Sequence, residues 1–170
     1  RVLLAFEEAI GFMCGTNVLD KDGVSAAIRA RELMTWLQTH HEQTLSQRLN
    51  EIYETYGYHC TKASYFINHD PKITEAIFNR IRNFDGPNTY PVGILDGAYK
   101  IKDVRDLTTG YDTTQPDKKA KLPTSKSSHM ITFWFENAVV CTLRTSGTEP
   151  KIKYYLEYCA RPDQQDWKAV

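Results

Sequence analysis

Three apolar-rich stretches, residues 129–135, 138–144 and 152–158, follow one another with only a few residues between them. Parallel neighbours need a crossover of a dozen or more residues, and these gaps are too short for one. Helical coding followed by such closely spaced strands reads as an α+β unit with an antiparallel sheet. Glu136-Asn137 reads as the hairpin between the first two stretches. An earlier alternation begins at Tyr99 and Ile101, is interrupted by Asp103 and resumes at Val104. The register across 98–105 is therefore open.

The segments before this sheet carry clear helix punctuation. Val24, Ala27, Ile28, Leu33, Met34 and Leu37 form a helical stripe over 24–38. Thr44 and Gln47 form a capping box, which starts a second helix with Leu45, Leu49, Ile52, Tyr53 and Tyr56 on one face. Gly57 supplies its left-handed stop. Residues 61–67 alternate as a half-buried strand. Asp70-Pro71 opens a third helix, with Asp as the cap and Pro at the first helical position, running to about Phe84. Residues 2–6 read as the end of a buried strand and 7–23 as a loop. That strand–loop–helix–helix order looks like a piece of an α/β domain, with the boundary near 57–69. Residues 106–128 read as a long loop with four lysines, either a solvated surface segment or a functional one.

Composition narrows the function classes. Lys plus Arg is 21 and Asp plus Glu is 21, a net charge of zero, which disfavours a nucleic-acid surface. No apolar run approaches the ~20 residues of a membrane span, and nothing resembles a secretory signal. Cys14, Cys60, Cys141 and Cys159 are far apart and show no disulfide or zinc spacing, and there is no Asn-x-Ser/Thr acceptor. The expectation is a cytoplasmic protein with reduced thiols, no metal site, and no nucleic-acid or membrane partner. The chain opens at Arg1 inside an apolar run, which reads as an internal start.

Two segments could carry chemistry. The first is Arg144-Thr-Ser-Gly-Thr-Glu-Pro-Lys151, between two expected strands. Arg144 offers a planar fork for two phosphate oxygens. Ser146 and Thr148 add hydroxyl donors, Gly147 lets the backbone approach an anion, and Lys151 and Lys153 follow. A polar hairpin turn with a surface Arg would have the same composition. The second segment is Phe6-Glu-Glu-Ala-Ile-Gly11, followed by Asp20-Lys-Asp-Gly23 at a helix start. Carboxylates at a strand end can accept from sugar hydroxyls or move a proton; an ordinary turn and cap would look alike. Asp20-x-Asp22-Gly23 lacks the first ligand position and the distal Glu of a calcium loop.

Taken in order, these two segments resemble the α-D-phosphohexomutase superfamily. Tyr56-Gly-Tyr-His59, Asp106-Leu-Thr-Thr-Gly-Tyr-Asp112, Gln115-Pro-Asp-Lys-Lys119 and Leu122-Pro-Thr-Ser-Lys126 resemble its phosphopentomutase-type branch, which includes glucose 1,6-bisphosphate synthases. The family has four domains, with a phosphoserine nucleophile in the first and a magnesium loop in the second. Neither motif occurs in this chain. The resemblance implies residues 1–60 as the C-terminal part of domain three and 61–170 as domain four with a truncated last helix. It implies a sugar-phosphate mutase acting on glucose or ribose phosphates through a bisphosphate intermediate. Mg2+ would be bound outside this chain, glucose 1,6-bisphosphate would serve as activator, and the partners would be a phosphosugar and the remaining domains. Site residues carried over are Glu7 and Lys21 for the sugar and Arg144, Ser146, Gly147, Thr148 and Lys153 for the phosphate, with no catalytic residue in this portion. Ala9 stands where many members have Ser, so one hydroxyl contact is absent. The competing readings are a bisphosphate synthase, a stand-alone phosphosugar-binding module and a purely structural domain.

Overall fold

A computed structural model of the chain describes residues 2–7 and 10–164. The chain divides between Thr55 and Tyr56 into two units.

The first unit opens with a hairpin of β1 (Leu4–Glu7) and β2 (Gly11–Cys14), in which Glu7 lies opposite Gly11. Ile10 takes a positive φ of 70° in the connecting turn. The hairpin corrects two expectations. Residues 2–6 are not a buried strand end, because Leu4 and Phe6 are exposed, and the expected loop 7–23 contains β2. Helix α1 (Gly23–His41) starts on Asp22, whose carboxylate accepts from Val24 N at 3.0 Å and Ser25 N at 3.3 Å. Of its apolar stripe only Leu37 is buried, while Val24, Ile28, Leu33 and Met34 stand exposed within this unit. Helix α2 (Leu45–Tyr56) begins at the expected capping box. Gln47 Oε1 accepts from Thr44 N at 2.8 Å, and Thr44 Oγ1 accepts from Gln47 N at 3.2 Å.

The second unit holds a seven-stranded antiparallel sheet and one helix among its described residues. Its strands are β3 (His59–Ile67), β4 (Gly93–Ile94), β5 (Tyr99–Asp106), β6 (Tyr111–Asp112), β7 (Met130–Phe135), β8 (Val139–Thr145) and β9 (Lys151–Cys159). The order is β3-β9-β8-β7-β5-β4, with β6 paired to β5. The α+β expectation therefore holds. Helix α3 (Pro71–Arg82) starts on Asp70, which accepts from Lys72 N at 2.8 Å. The register left open around Asp103 is a β-bulge. Ile101 pairs with Phe135 and Asp103 with Trp134, so one extra residue lets Ile101 and Val104 both face the core. The segment 106–128 is folded, with β6 near its start and backbone bonds such as Ala120 N to Gly110 O at 2.9 Å.

The sheet has two unlike faces. One packs Val104, Ile131, Phe133, Phe135 and Ile152 against Phe78 of α3, and forms the core. At its edge Arg82 and Asp106 form a buried ion pair, Nε to Oδ2 at 2.6 Å and Nη2 to Oδ1 at 3.3 Å. Asp106 also accepts from Tyr90 Oη at 2.8 Å, Thr108 N at 2.8 Å and Thr109 N at 3.3 Å. Burial alone would raise this carboxyl, but Arg82, Tyr90 and the Thr108 amide outweigh it and hold it below the usual range. Burial pushes the Tyr90 hydroxyl up to about 12, which keeps it a donor. The opposite face carries no helix of this unit among the described residues.

Two predictions follow from this packing. Asp106→Asn should cost roughly 3–5 kcal/mol in urea unfolding, because it leaves Arg82 buried without its counter-charge. The Asp106 contribution has a depressed folded-state pKa, so it is complete above about pH 4 and fades below it. The variant should lack that acid-sensitive component; an equal acid response in both proteins would refute the assignment. Gly57→Ala should destabilise by roughly 1–3 kcal/mol. Gly57 sits at φ +94°, and an added Cβ would lie 1.9 Å from the Ala160 carbonyl oxygen. An unchanged thermal midpoint would rule this out.

Candidate functional site

The expected site residues fall into one group in each unit. In the first unit, Gly11 is the reason two of them meet. Lys21 runs its stem over Gly11, so closely that a Cβ there would lie 2.3 Å from Lys21 Cδ. Lys21 Nζ then reaches Glu7 Oε2 at 3.3 Å and Asp20 Oδ1 at 3.2 Å. The hydrogen bonds to Asp20 and then Glu7 raise the Lys21 pKa. Both Glu7 and Lys21 stay half exposed, 51% and 52% at their side chains, which leaves their polar atoms open to a ligand. Ala9 and its neighbour Glu8 lie outside the described residues.

In the second unit, the register of β8 and β9 builds the other group. Arg144 and Lys153 are direct cross-strand partners on the sheet face opposite α3. Like charges placed opposite one another normally repel. Tyr155, two residues along on the same face, holds Arg144 in place. Its hydroxyl accepts from Arg144 Nη2 at 2.8 Å, and the guanidinium lies 5.3 Å from the ring centroid. The fork therefore keeps donors beyond those spent on Tyr155.

The connecting loop, 146–150, is clamped at its base and open at its tip. Ser146 N donates to Lys151 O at 2.9 Å, and Asn68 N donates to Pro150 O at 2.9 Å. Gly147 and Thr148 are exposed, and nothing lies within 4 Å of a Cβ built on Gly147. Lys151 differs from its expected part in the cationic cluster. It pairs with Glu149 at 2.8 Å and lies 4.2 Å from the Tyr65 ring centroid, and Glu149 raises its pKa.

Behind the loop stands a residue that sequence reading missed. His129 exchanges backbone and side-chain bonds with Thr145, and a cavity of about 310 Å3 opens between His129, Ser146, Lys151 and the first turn of α3. Arg82 Nη1 lies 3.2 Å from His129 Nδ1 and can only donate. Nδ1 is therefore the bare nitrogen, and Nε2 carries the proton toward Glu75 Oε2 at 2.9 Å. The ring stacks on Phe78 at 4.4 Å. Nothing in the local sequence marks His129, whereas Tyr155 could be found from its two-residue spacing to Lys153. Among the described residues no three His, Cys, Asp or Glu side chains converge to hold a metal. The Mg2+ implied by the resemblance has no ligand set there.

Known proteins resemble this chain in sequence and in fold. The phosphoglucomutase/phosphomannomutase alpha/beta/alpha domain III family model matches residues 1–56. The human phosphopentomutase is 61% identical over 165 residues, 97% of this chain and 26% of that protein. The human glucose 1,6-bisphosphate synthase is 59% identical over 166 residues, 98% of this chain and 26% of that protein. The chain thus spans about a quarter of the length of these relatives. Among solved structures, the Paramecium parafusin phosphoglucomutase in its open form shares the fold, with a TM-score of 0.52 at 15% identity over 97% of this chain and 27% of that one. The chain belongs to the α-D-phosphohexomutase superfamily, in the branch that holds the phosphopentomutases and glucose 1,6-bisphosphate synthases.

Proposed function

We propose that this chain is the sugar- and phosphate-binding C-terminal portion of a sugar-phosphate mutase. Its substrates would be glucose 1-phosphate and glucose 6-phosphate, ribose 1-phosphate and ribose 5-phosphate, or both pairs. The observation that carries the reading is the Arg144–Lys153 cross-strand pair on the sheet face opposite α3. Two adjacent cations, one of them anchored on Tyr155, are best relieved by an anion the size of a phosphate. Ser146, Gly147 and Thr148 at the rim would supply neutral donors. Glu7, fixed by Lys21 across Gly11, would accept from a ring hydroxyl. Residues 1–60 then serve as the end of domain three and 61–170 as domain four.

The nucleophile, the Mg2+ and the bisphosphate turnover belong to the remaining domains in this reading, so this portion alone binds without turning over. Four free cysteines fit a cytoplasmic setting. A bisphosphate synthase is the second reading, favoured by the 59% identity to that relative. The same two-ended site would serve it, and accumulation of glucose 1,6-bisphosphate rather than the isomerised monophosphate would identify it.

Two measurements on the full-length parent test the site. Arg144→Ala should raise KM roughly 10- to 100-fold, the loss of one charge-assisted bidentate contact. Unchanged KM would remove the phosphate assignment. Glu7→Gln should raise KM for the sugar phosphate roughly tenfold while leaving inhibition by inorganic phosphate unaltered. Equal losses for both ligands would place Glu7 on the phosphate instead of the sugar.

A further inference from the structure

At the corner of the sheet far from the anion loop, an exposed cysteine stands against an imidazole. His59 opens β3 and Cys159 closes β9, and the register sets them directly opposite. The neighbouring pair takes the backbone bond, Ala160 N to Tyr58 O at 2.8 Å. That leaves 59–159 a non-hydrogen-bonded pair, the kind whose side chains stand closest. Cys159 Sγ lies 3.1 Å from His59 Nε2.

The tautomer of His59 is fixed by its other nitrogen. Nδ1 lies 3.0 Å from the Gly57 carbonyl oxygen, which can only accept. Nδ1 therefore carries the proton, and Nε2 presents a lone pair to the thiol. The carbonyl is itself held, because Gly57 is wedged under Ala160 with no room for a side chain. Thiol, base and orienting group are the three parts of an activated nucleophile. Cys159 and His59 are both exposed, whereas Cys14, Cys60 and Cys141 are partly buried, and burial pushes the Cys141 thiol up. Glu157 lies two residues before Cys159 on the same strand face, opposite the uncharged Thr61, and Arg161 beyond it pairs with Asp163 at 3.2 Å. Six residues of strand, about 20 Å, separate Cys159 from Lys153, so this corner is distinct from the phosphate group of residues.

We propose that Cys159 is a site of reversible thiol modification, with His59 as its base, reacting with small disulfides of the glutathione type. The thiol proton passes to His59 Nε2. The thiolate sulfur attacks one sulfur of the disulfide, a new S–S bond forms to Cys159, and the original S–S bond breaks. The departing thiolate takes the proton from the imidazolium and leaves as free thiol. One thiol and one disulfide enter, and one thiol and one mixed disulfide result, with no other oxidant.

The test is a time course of the whole chain with glutathione disulfide at neutral pH, with adducts mapped by peptide mass. A base held at hydrogen-bond distance from the attacking thiol should speed the reaction by roughly tenfold or more. Cys159 should be modified first, and His59→Gln should slow it about tenfold with the thermal midpoint unchanged. Equal rates in wild type and variant, or Cys159 reacting no faster than the other three cysteines, would overturn the proposal. A wild-type measurement stands independently of whether the variant folds. Cys159 should react about tenfold faster in the native chain than in urea, where His59 no longer faces it. A native rate equal to or below the unfolded one would also overturn it.

Discussion

The Asp106 carboxylate is the point from which the second unit is organised. It is fully buried and accepts from two Arg82 nitrogens, the Tyr90 hydroxyl and the amides of Thr108 and Thr109. A buried charge is tolerated only when its lone pairs are met in this way. The five donors come from the last turn of α3, the segment after it and the turn that follows β5, so satisfying one carboxylate fixes where all three meet. Arg82 then passes the constraint on. Its remaining nitrogen orients His129, and His129 is bonded to Thr145 at the base of the 146–150 loop. The loop is thus supported from the core by directional bonds as well as by strand register.

The sheet separates its apolar core from its cation-bearing face by parity. Residues 131, 133, 135 and 152 point to α3 and exclude water, and their neighbours in sequence point the other way. On that second face cations lie over aromatic rings: Lys151 over Tyr65, Arg144 over Tyr155 and Arg105 over Trp134. Arg105 is neutralised by Asp112 at 3.0 Å and Lys151 by Glu149 at 2.8 Å. Neither Arg144 nor Lys153 takes part in an ion pair among the described residues. A chain of zero net charge can therefore keep two cations side by side without an ion-pair partner among the described residues.

Local chemistry was readable where the signal and the structure share the same few residues. The Thr44–Gln47 box, the Asp70-Pro71 start, the Gly57 stop and the hairpin before Val139 each depend on adjacent positions. The interruption at Asp103 was visible as a broken alternation, and only pairing with β7 shows it to be a bulge. The Arg144 loop could be singled out from its composition and family resemblance, although Lys151's engagement with Glu149 could not. Strand β2 was hidden inside a Gly-rich stretch. The stripe on α1 was correctly helical, yet its exposure depends on what surrounds it, which periodicity does not encode. His129 and the His59–Cys159 pair were illegible because each exists only through partners 16 to 100 residues away.

The pairing of β3 with β9 has a consequence for the order in which the unit assembles. It joins residues up to 100 apart, whereas β7 and β8 meet across a turn of a few residues. Chain-closure entropy grows with the span to be closed, so the distant pair is expected to form after the local hairpin, when the intervening strands already bring its ends together. β3 then acts as the latch of the sheet. A nascent or damaged chain could hold its hairpins and its helix and still leave this last edge unfastened, and the juxtaposed His59 and Cys159 are a built-in marker of whether folding has run to completion.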